Sequence, residues 1–184
     1  MGSGIAQVAA QAGEEVILFD SRPEALVRSK EALNKVMDRL VEKGRISSEE
    51  KQTICGRIQY AEDLSAFSRC ELVIEAIIED LDAKRILFEQ LEKHISKTCI
   101  LATNTSSLSI ASLSKGRRHP EQLLGIHFFN PAPLLPLVEI IPSLLTDSAV
   151  VDRAQKRIDG WGKVTVRAQD TPGFIVNRVA RPFY

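Results

Sequence analysis

The chain has 184 residues, 44% of them hydrophobic and 26% charged, and its 24 basic and 24 acidic side chains cancel. A neutral balance lacks the basic footprint of a nucleic-acid binder, and an aromatic content of 5% leaves little for base stacking. The most apolar stretch, 134–145, is broken by Pro136, Glu139 and Pro142. No run therefore reaches the roughly 18 apolar residues that a membrane-spanning helix needs.

Taken in chain order, residues 2–13 read as a helix that begins on Gly2-Ser3-Gly4 and ends at Gly13. Short β-branched runs then alternate with helical stretches, the pattern of a mostly parallel sheet covered by helices. Strands are predicted at 16–20, 57–60, 72–76, 99–103, 124–128, 138–141 and 164–167, the last alternating Val164 and Val166 like an edge strand. After the first strand, residues 23–44 form a long helix opened by Pro23 and stopped by Gly44. Ser47 and Glu50 have the spacing of a capping box that starts a second helix, so residues 23–55 make an antiparallel helical arm. Amphipathic helices are predicted at 82–95, through Leu87, Leu91 and Ile95, and at 147–161, through Val150, Ala154, Ile158 and Trp161. Near the end, Thr171-Pro172-Gly173-Phe174 marks a turn into a further helix. Cys55, Cys70 and Cys99 have neither metal nor redox spacing, which reads as reduced thiols in a reducing, cytoplasmic setting; no metal site is expected. The N-terminus has no charged-then-apolar secretory signal.

Two side chains stand out chemically. His127 ends the apolar run Leu123-Leu124-Gly125-Ile126, and side chains at the carboxyl ends of parallel strands point into the ligand crevice of open α/β sheets. Glu139 lies within Leu137-Val138-Glu139-Ile140-Ile141, where an unpaired carboxylate is costly to bury. A hydrogen bond from His127 to Glu139 answers both problems, because it fixes the imidazole tautomer and stabilises the imidazolium when a proton is taken. Such a pair suits the oxidation of a secondary alcohol, which needs a base as hydride leaves the carbon. At the other end, Asp20 follows the strand after a glycine-led helix. That is the place of the acidic residue that accepts hydrogen bonds from ribose hydroxyls in a dinucleotide-binding unit. Asp20 lies eighteen positions after Gly2, which makes Gly2 the third glycine of the phosphate-binding turn and puts the first strand and the first two glycines ahead of Met1. A carboxylate at Asp20 disfavours a 2′-phosphate, so NAD is expected over NADP, with Arg22 as the one opposing feature.

Four stretches, Asn104-Thr105-Ser106-Ser107-Leu108, His127-Phe128-Phe129-Asn130-Pro131, Glu139 and Thr171–Arg178, occur in an order and spacing that resemble the L-3-hydroxyacyl-CoA dehydrogenases along essentially the whole chain. The resemblance implies a Rossmann-like, doubly wound α/β fold with an inserted helical hairpin. It also implies an enzyme of fatty acid metabolism and β-oxidation that oxidises the 3-hydroxyl of an acyl-CoA and passes hydride to NAD. By the same resemblance Ser106 hydrogen-bonds the reacting oxygen and Asn177 holds the thioester end of the substrate. Asn130, Glu79 and Lys84 would lie on the nicotinamide side of the cofactor, and Ala76 and Ser106 would also border the cofactor. The arm would reach over CoA, with Arg22, Arg28, Lys30 and Lys35 towards its phosphates. Ser106 competes for the role of helix cap before Ile110, which Ser107 or Ser109 could fill equally well.

The expected organisation is a cofactor domain at 1–170 and, at 171–184, a linker into an all-helical second domain that the sequence lacks and that carries dimer contacts in the family. Two other readings are a dehydrogenase module of a multifunctional β-oxidation protein and a non-catalytic relative; the presence of Ser106, His127 and Glu139 together argues against the latter. A sheet without its first strand exposes two unpaired edges, so the gap is expected to be filled by upstream residues, by another chain, or by closure of the sheet.

Overall fold

The computed structural model describes residues 1–180; the end of the predicted 171–184 segment lies outside the described residues. Helix α1 (Gly2–Gln11) leads into β1 (Val16–Phe19), the arm α2 (Pro23–Glu42) and α3 (Ser48–Gly56), and β2 (Ile58–Ala61). A 3₁₀ turn at Leu64–Arg69 precedes β3 (Leu72–Glu75), α4 (Leu81–Leu91), β4 (Ile100–Thr103), α5 (Ile110–Ser114) and β5 (Leu123–Phe128). Then come β6 (Leu137–Pro142), α6 (Ser148–Gly160), β7 (Val164–Arg167) and α7 (Val176–Ala180). Each predicted strand is present to within one residue at either end. The capping box is present too: Ser47 Oγ accepts from Glu50 N at 3.1 Å and Glu50 Oε2 accepts from Ser47 N at 2.7 Å. Helix α4 ends earlier than predicted, because the chain tightens after Leu91, where His94 N and Ile95 N both donate to Leu91 O.

Five strands form one sheet in the order β3-β4-β5-β6-β7, parallel throughout except between β5 and β6, and β7 is at its edge. β1 and β2 form a separate parallel pair. Between β1 and β3 runs an open cleft of about 1750 Å³ lined by both strands and by the start of α1. Of the three ways in which this gap could be filled, closure of the sheet around a new pairing does not occur among the described residues. All four residues of β1 are half-buried, and in β3 Leu72 and Ile74 are half-buried while Val73 and Glu75 are buried. Helix α1 ties the two parts together: Ile5 and Val8 pack into the main core, while Ala10 packs with Leu33, Met37, Ile54 and Ile58 of the arm and β2. The Phe19 and Phe67 rings add an edge-on contact at 6.4 Å.

Strand periodicity sorts β5 onto two faces. Leu124, Ile126 and Phe128 meet Val138 and Ile140 of β6, α1, and Val150, Val151, Ala154 and Ile158 of α6. Leu123, with Ile141 of β6, faces Ile110 and Leu113 of α5 and Phe88 of α4. Gly125 and His127 lie on this second face. A Cβ at Gly125 would meet Ile110 Cδ1 and Ile141 Cβ at 3.0 Å, so the glycine lets α5 approach the sheet. Gly125→Ala is expected to lower stability by about 1–3 kcal/mol through overpacking, measured as a shift in the urea midpoint; an unchanged midpoint would mean that α5 retreats at no cost.

Candidate active site at the carboxyl end of β5

His127 and Glu139 are direct cross-strand partners in the antiparallel β5–β6 ladder, which places both side chains on one face. Nδ1 of His127 lies 2.7 Å from Oε2 of Glu139. Glu139 is fully buried and His127 nearly so. The second carboxylate oxygen, Oε1, accepts from the backbone N–H groups of Ile175 and Val176, each at 2.9 Å. Burial alone would push this carboxyl up. The bond from His127 and the two amides outweigh it and hold the group below the usual carboxylate range. An ionised Glu139 accepts a hydrogen bond from Nδ1–H, so in the neutral ring Nε2 carries the lone pair. Nε2 has no hydrogen-bond partner among the described residues. The ring is walled by Phe129, with centroids 4.5 Å apart, and by Phe174 at 5.8 Å.

The Ser106 turn is gathered by Glu79. Its Oε1 accepts from Thr105 Oγ1 at 2.6 Å and Ser106 N at 2.8 Å, with Ser107 N and the hydroxyls of Ser106 and Ser107 further out at 3.1–3.2 Å. One oxygen cannot satisfy five donors, so the Ser106 hydroxyl is held only weakly. Behind Glu79, Lys84 Nζ lies 3.5 Å from Oε2 and donates to Glu75 at 2.7 Å. Glu75 also accepts from Thr103 Oγ1 and from Ile77 N. The charge of Lys84 is thus spent within the protein, its side chain only 1% exposed. Ser109 is the cap of α5, accepting from Ser112 N, which leaves Ser106 free of that duty. Asn104 Oδ1 accepts from Phe128 N at 2.8 Å and pins the end of β5. Asn177 Nδ2 donates to Ser106 O at 3.3 Å, while Asn130 is exposed on the loop after β5.

Gly2, Asp20 and Ala76 line the cleft between β1 and β3. A Cβ on Gly2 would stand 3.9 Å from that of Ala76, and Asp20, just past β1, accepts from Arg22 N at 2.9 Å. The N–H groups of Gly2 and Ser3 open α1 without helical acceptors. Free amides suit phosphate and the half-exposed Asp20 carboxylate suits ribose hydroxyls, so the residues present fit a dinucleotide.

Glu75, Thr103 and Asp170 were not singled out by sequence, and Phe174 was read only as part of a turn. Only Glu75 had a usable signal, a carboxylate closing an apolar strand with a lysine nine positions on.

Glu79 is also held below the carboxylate range: burial pushes it up, but bonds from Thr105 and Ser106 and the Lys84 charge prevail. Depressed groups stabilise the fold fully above the unfolded value, near 4.5, and that contribution is lost as pH falls through the lower folded value. Stability should therefore decline below this pH. In Glu79→Gln the decline should be shallower, as read from urea midpoints across an acid series; an identical slope would remove Glu79 from the account.

Fold and site together define a dinucleotide-binding α/β domain that carries an imidazole–carboxylate pair. The chain belongs to the family described as 3-hydroxyacyl-CoA dehydrogenase, NAD binding domain, which matches residues 1–171. NAD is the cofactor of that domain. It is 42% identical to a 3-hydroxyadipyl-CoA dehydrogenase of Escherichia coli K12, over 100% of this chain and 39% of the relative. It is 37% identical to a 3-hydroxybutyryl-CoA dehydrogenase of Mycobacterium tuberculosis, over 100% of this chain and 65% of the relative. Among solved structures, (S)-3-hydroxybutyryl-CoA dehydrogenase from Ralstonia eutropha superposes with a TM-score of 0.97 at 31% identity, over 100% of this chain and 65% of that one. The chain thus spans less than two thirds of the length of these relatives.

Proposed function

We propose that the protein oxidises the 3-hydroxyl of an L-3-hydroxyacyl-CoA to the ketone, with hydride passing to NAD. The observation that carries this reading is the 2.7 Å His127–Glu139 pair, with no partner on Nε2 among the described residues. His127 Nε2 takes the hydroxyl proton, and Glu139 orients the ring and balances the imidazolium. The Ser106 hydroxyl hydrogen-bonds the reacting oxygen, and Asn177 holds the thioester end. Bound NAD supplies the hydride acceptor. Gly2, Asp20, Ala76, Glu79, Lys84, Ser106 and Asn130 form its surroundings, Glu79 and Lys84 by shaping the Ser106 turn. The exposed Arg22, Arg28, Lys30 and Lys35 of the arm face the CoA phosphates. Residues 1–170 act as the cofactor domain and 171–184 lead into a helical domain, within a cytoplasmic homodimer.

The test is an assay of the protein at its natural full length with 3-hydroxybutyryl-CoA, following NADH absorbance. Turnover with NAD in preference to NADP is expected, and His127→Gln should lower kcat by about 10²–10⁴-fold. Parental turnover in that variant, or a preference for NADP, would overturn the assignment of His127 or of Asp20 respectively.

A further inference from the structure

The segment from Asp170 to Asn177 touches the site at three places. The Asp170 carboxylate accepts from Ile110 N and Ala111 N, both at 2.8 Å, and from Ser109 Oγ at 3.0 Å, so it fastens the start of the segment to α5. Ile175 N and Val176 N close on Glu139. Asn177 reaches the carbonyl of Ser106. Between these anchors the backbone turns sharply: Gly173 has φ 78° and Phe174 has φ 48°. A left-handed conformation at a phenylalanine is unfavourable, and Phe174 is also buried against the His127 ring. Gly173 has no alternative, since a Cβ there would stand 3.1 Å from Arg178 N. What this turn achieves is the aim of two consecutive N–H groups at one carboxylate oxygen that is otherwise buried without a partner.

We propose that residues 170–177 are a positioning element for the reaction: the Ile175 and Val176 amides hold Glu139 in the orientation that fixes His127, while Asp170 and Asn177 register this clamp against the Ser106 turn. The proposal rests on the reading of His127 as the base. Because α7 starts at Val176, displacing the start of that helix withdraws both donors together, and Glu139 then turns away from the line that presents Nε2 to the alcohol.

Val176 is the first residue of α7, a position where proline is tolerated because its missing N–H has no helical acceptor. Val176→Pro therefore deletes one donor to Glu139 without breaking the helix. In the full-length protein, kcat is expected to fall by about tenfold, the scale of one hydrogen bond to a charged group. KM for NAD and acyl-CoA should stay within about twofold, as expected when ground-state binding is untouched. Val176→Ala, which trims the side chain but keeps the N–H, should restore kcat. Parental kcat in Val176→Pro, or an equal loss in Val176→Ala, would overturn the clamp. A second measurement decides the matter should the proline variant fail to fold. In ¹⁵N NMR of the unmodified protein the Ile175 and Val176 amide protons should lie downfield and move upfield together in Glu139→Gln; shifts indifferent to that change would also overturn it. Coupled amide shifts in a protein with no dehydrogenase activity would fault the proposed reaction and leave the clamp standing.

Discussion

Glu139→Gln is expected to lower kcat by about 10³-fold while KM for the acyl-CoA changes by less than about threefold. The side chains have nearly the same volume, so the fold should survive. Oε1 is fixed by the amides of Ile175 and Val176, which only an oxygen can accept. The glutamine NH₂ must then face His127 Nδ1. Two donors cannot share that contact, so Nδ1 becomes the acceptor and the imidazole proton moves to Nε2. The nitrogen that should take the alcohol proton is already occupied, the same loss through a wrong tautomer known from protease triads. Steady-state kinetics beside a thermal melt check this. A kcat within tenfold of the parent would make Glu139 a satisfied core residue and no more.

Lys84→Met is expected to have the largest effect on stability. Lys84 and Glu75 form a buried ion pair at 2.7 Å, with side chains 1% and 0% exposed. Removing the cation leaves Glu75 with only Thr103 Oγ1 and Ile77 N. Breaking a buried pair from one side costs about 3–5 kcal/mol, against a total of about 5–15 kcal/mol for a domain. Glu79 also loses its cation, so the Ser106 turn should loosen with it. Urea unfolding of Lys84→Met, Glu75→Gln and the double variant checks this, and the double variant should recover part of the loss because no lone charge remains. A loss below about 1 kcal/mol in Lys84→Met would mean that the Lys84–Glu75 pair contributes little to the fold.

Strands and the arm were readable because their signals are local: β-branched runs, Pro23, Gly44 and the Ser47–Glu50 box all act within a few residues. The direction of β6 was not read, although its cause is short-range. The connection 129–136 is too short for a crossover between parallel strands, so β6 had to run back along β5. Within the site, His127 and Glu139 were legible because their spacing reflects strand register. Asp170 was not, since it caps a helix sixty positions away and nothing in its own neighbourhood signals that. The part played by Lys84 likewise depends on how closely α4 approaches β3.

The opposed placement of His127 and Glu139 also frees the connection between them from chemical duty. Their pairing is a property of the ladder, in which Ile126 meets Ile140 and Phe128 meets Val138. Residues added or removed within 129–136 would leave the histidine facing the glutamate, whereas a single residue gained between Val138 and Glu139 would turn the carboxylate to the opposite face. Asn130 rides on that same connection. Under the proposed function, the His127–Glu139 pair and the loop that borders it can thus diverge independently, so that loop exchange between related proteins is a route to altered cofactor or substrate contacts with the proposed proton-transfer pair left intact.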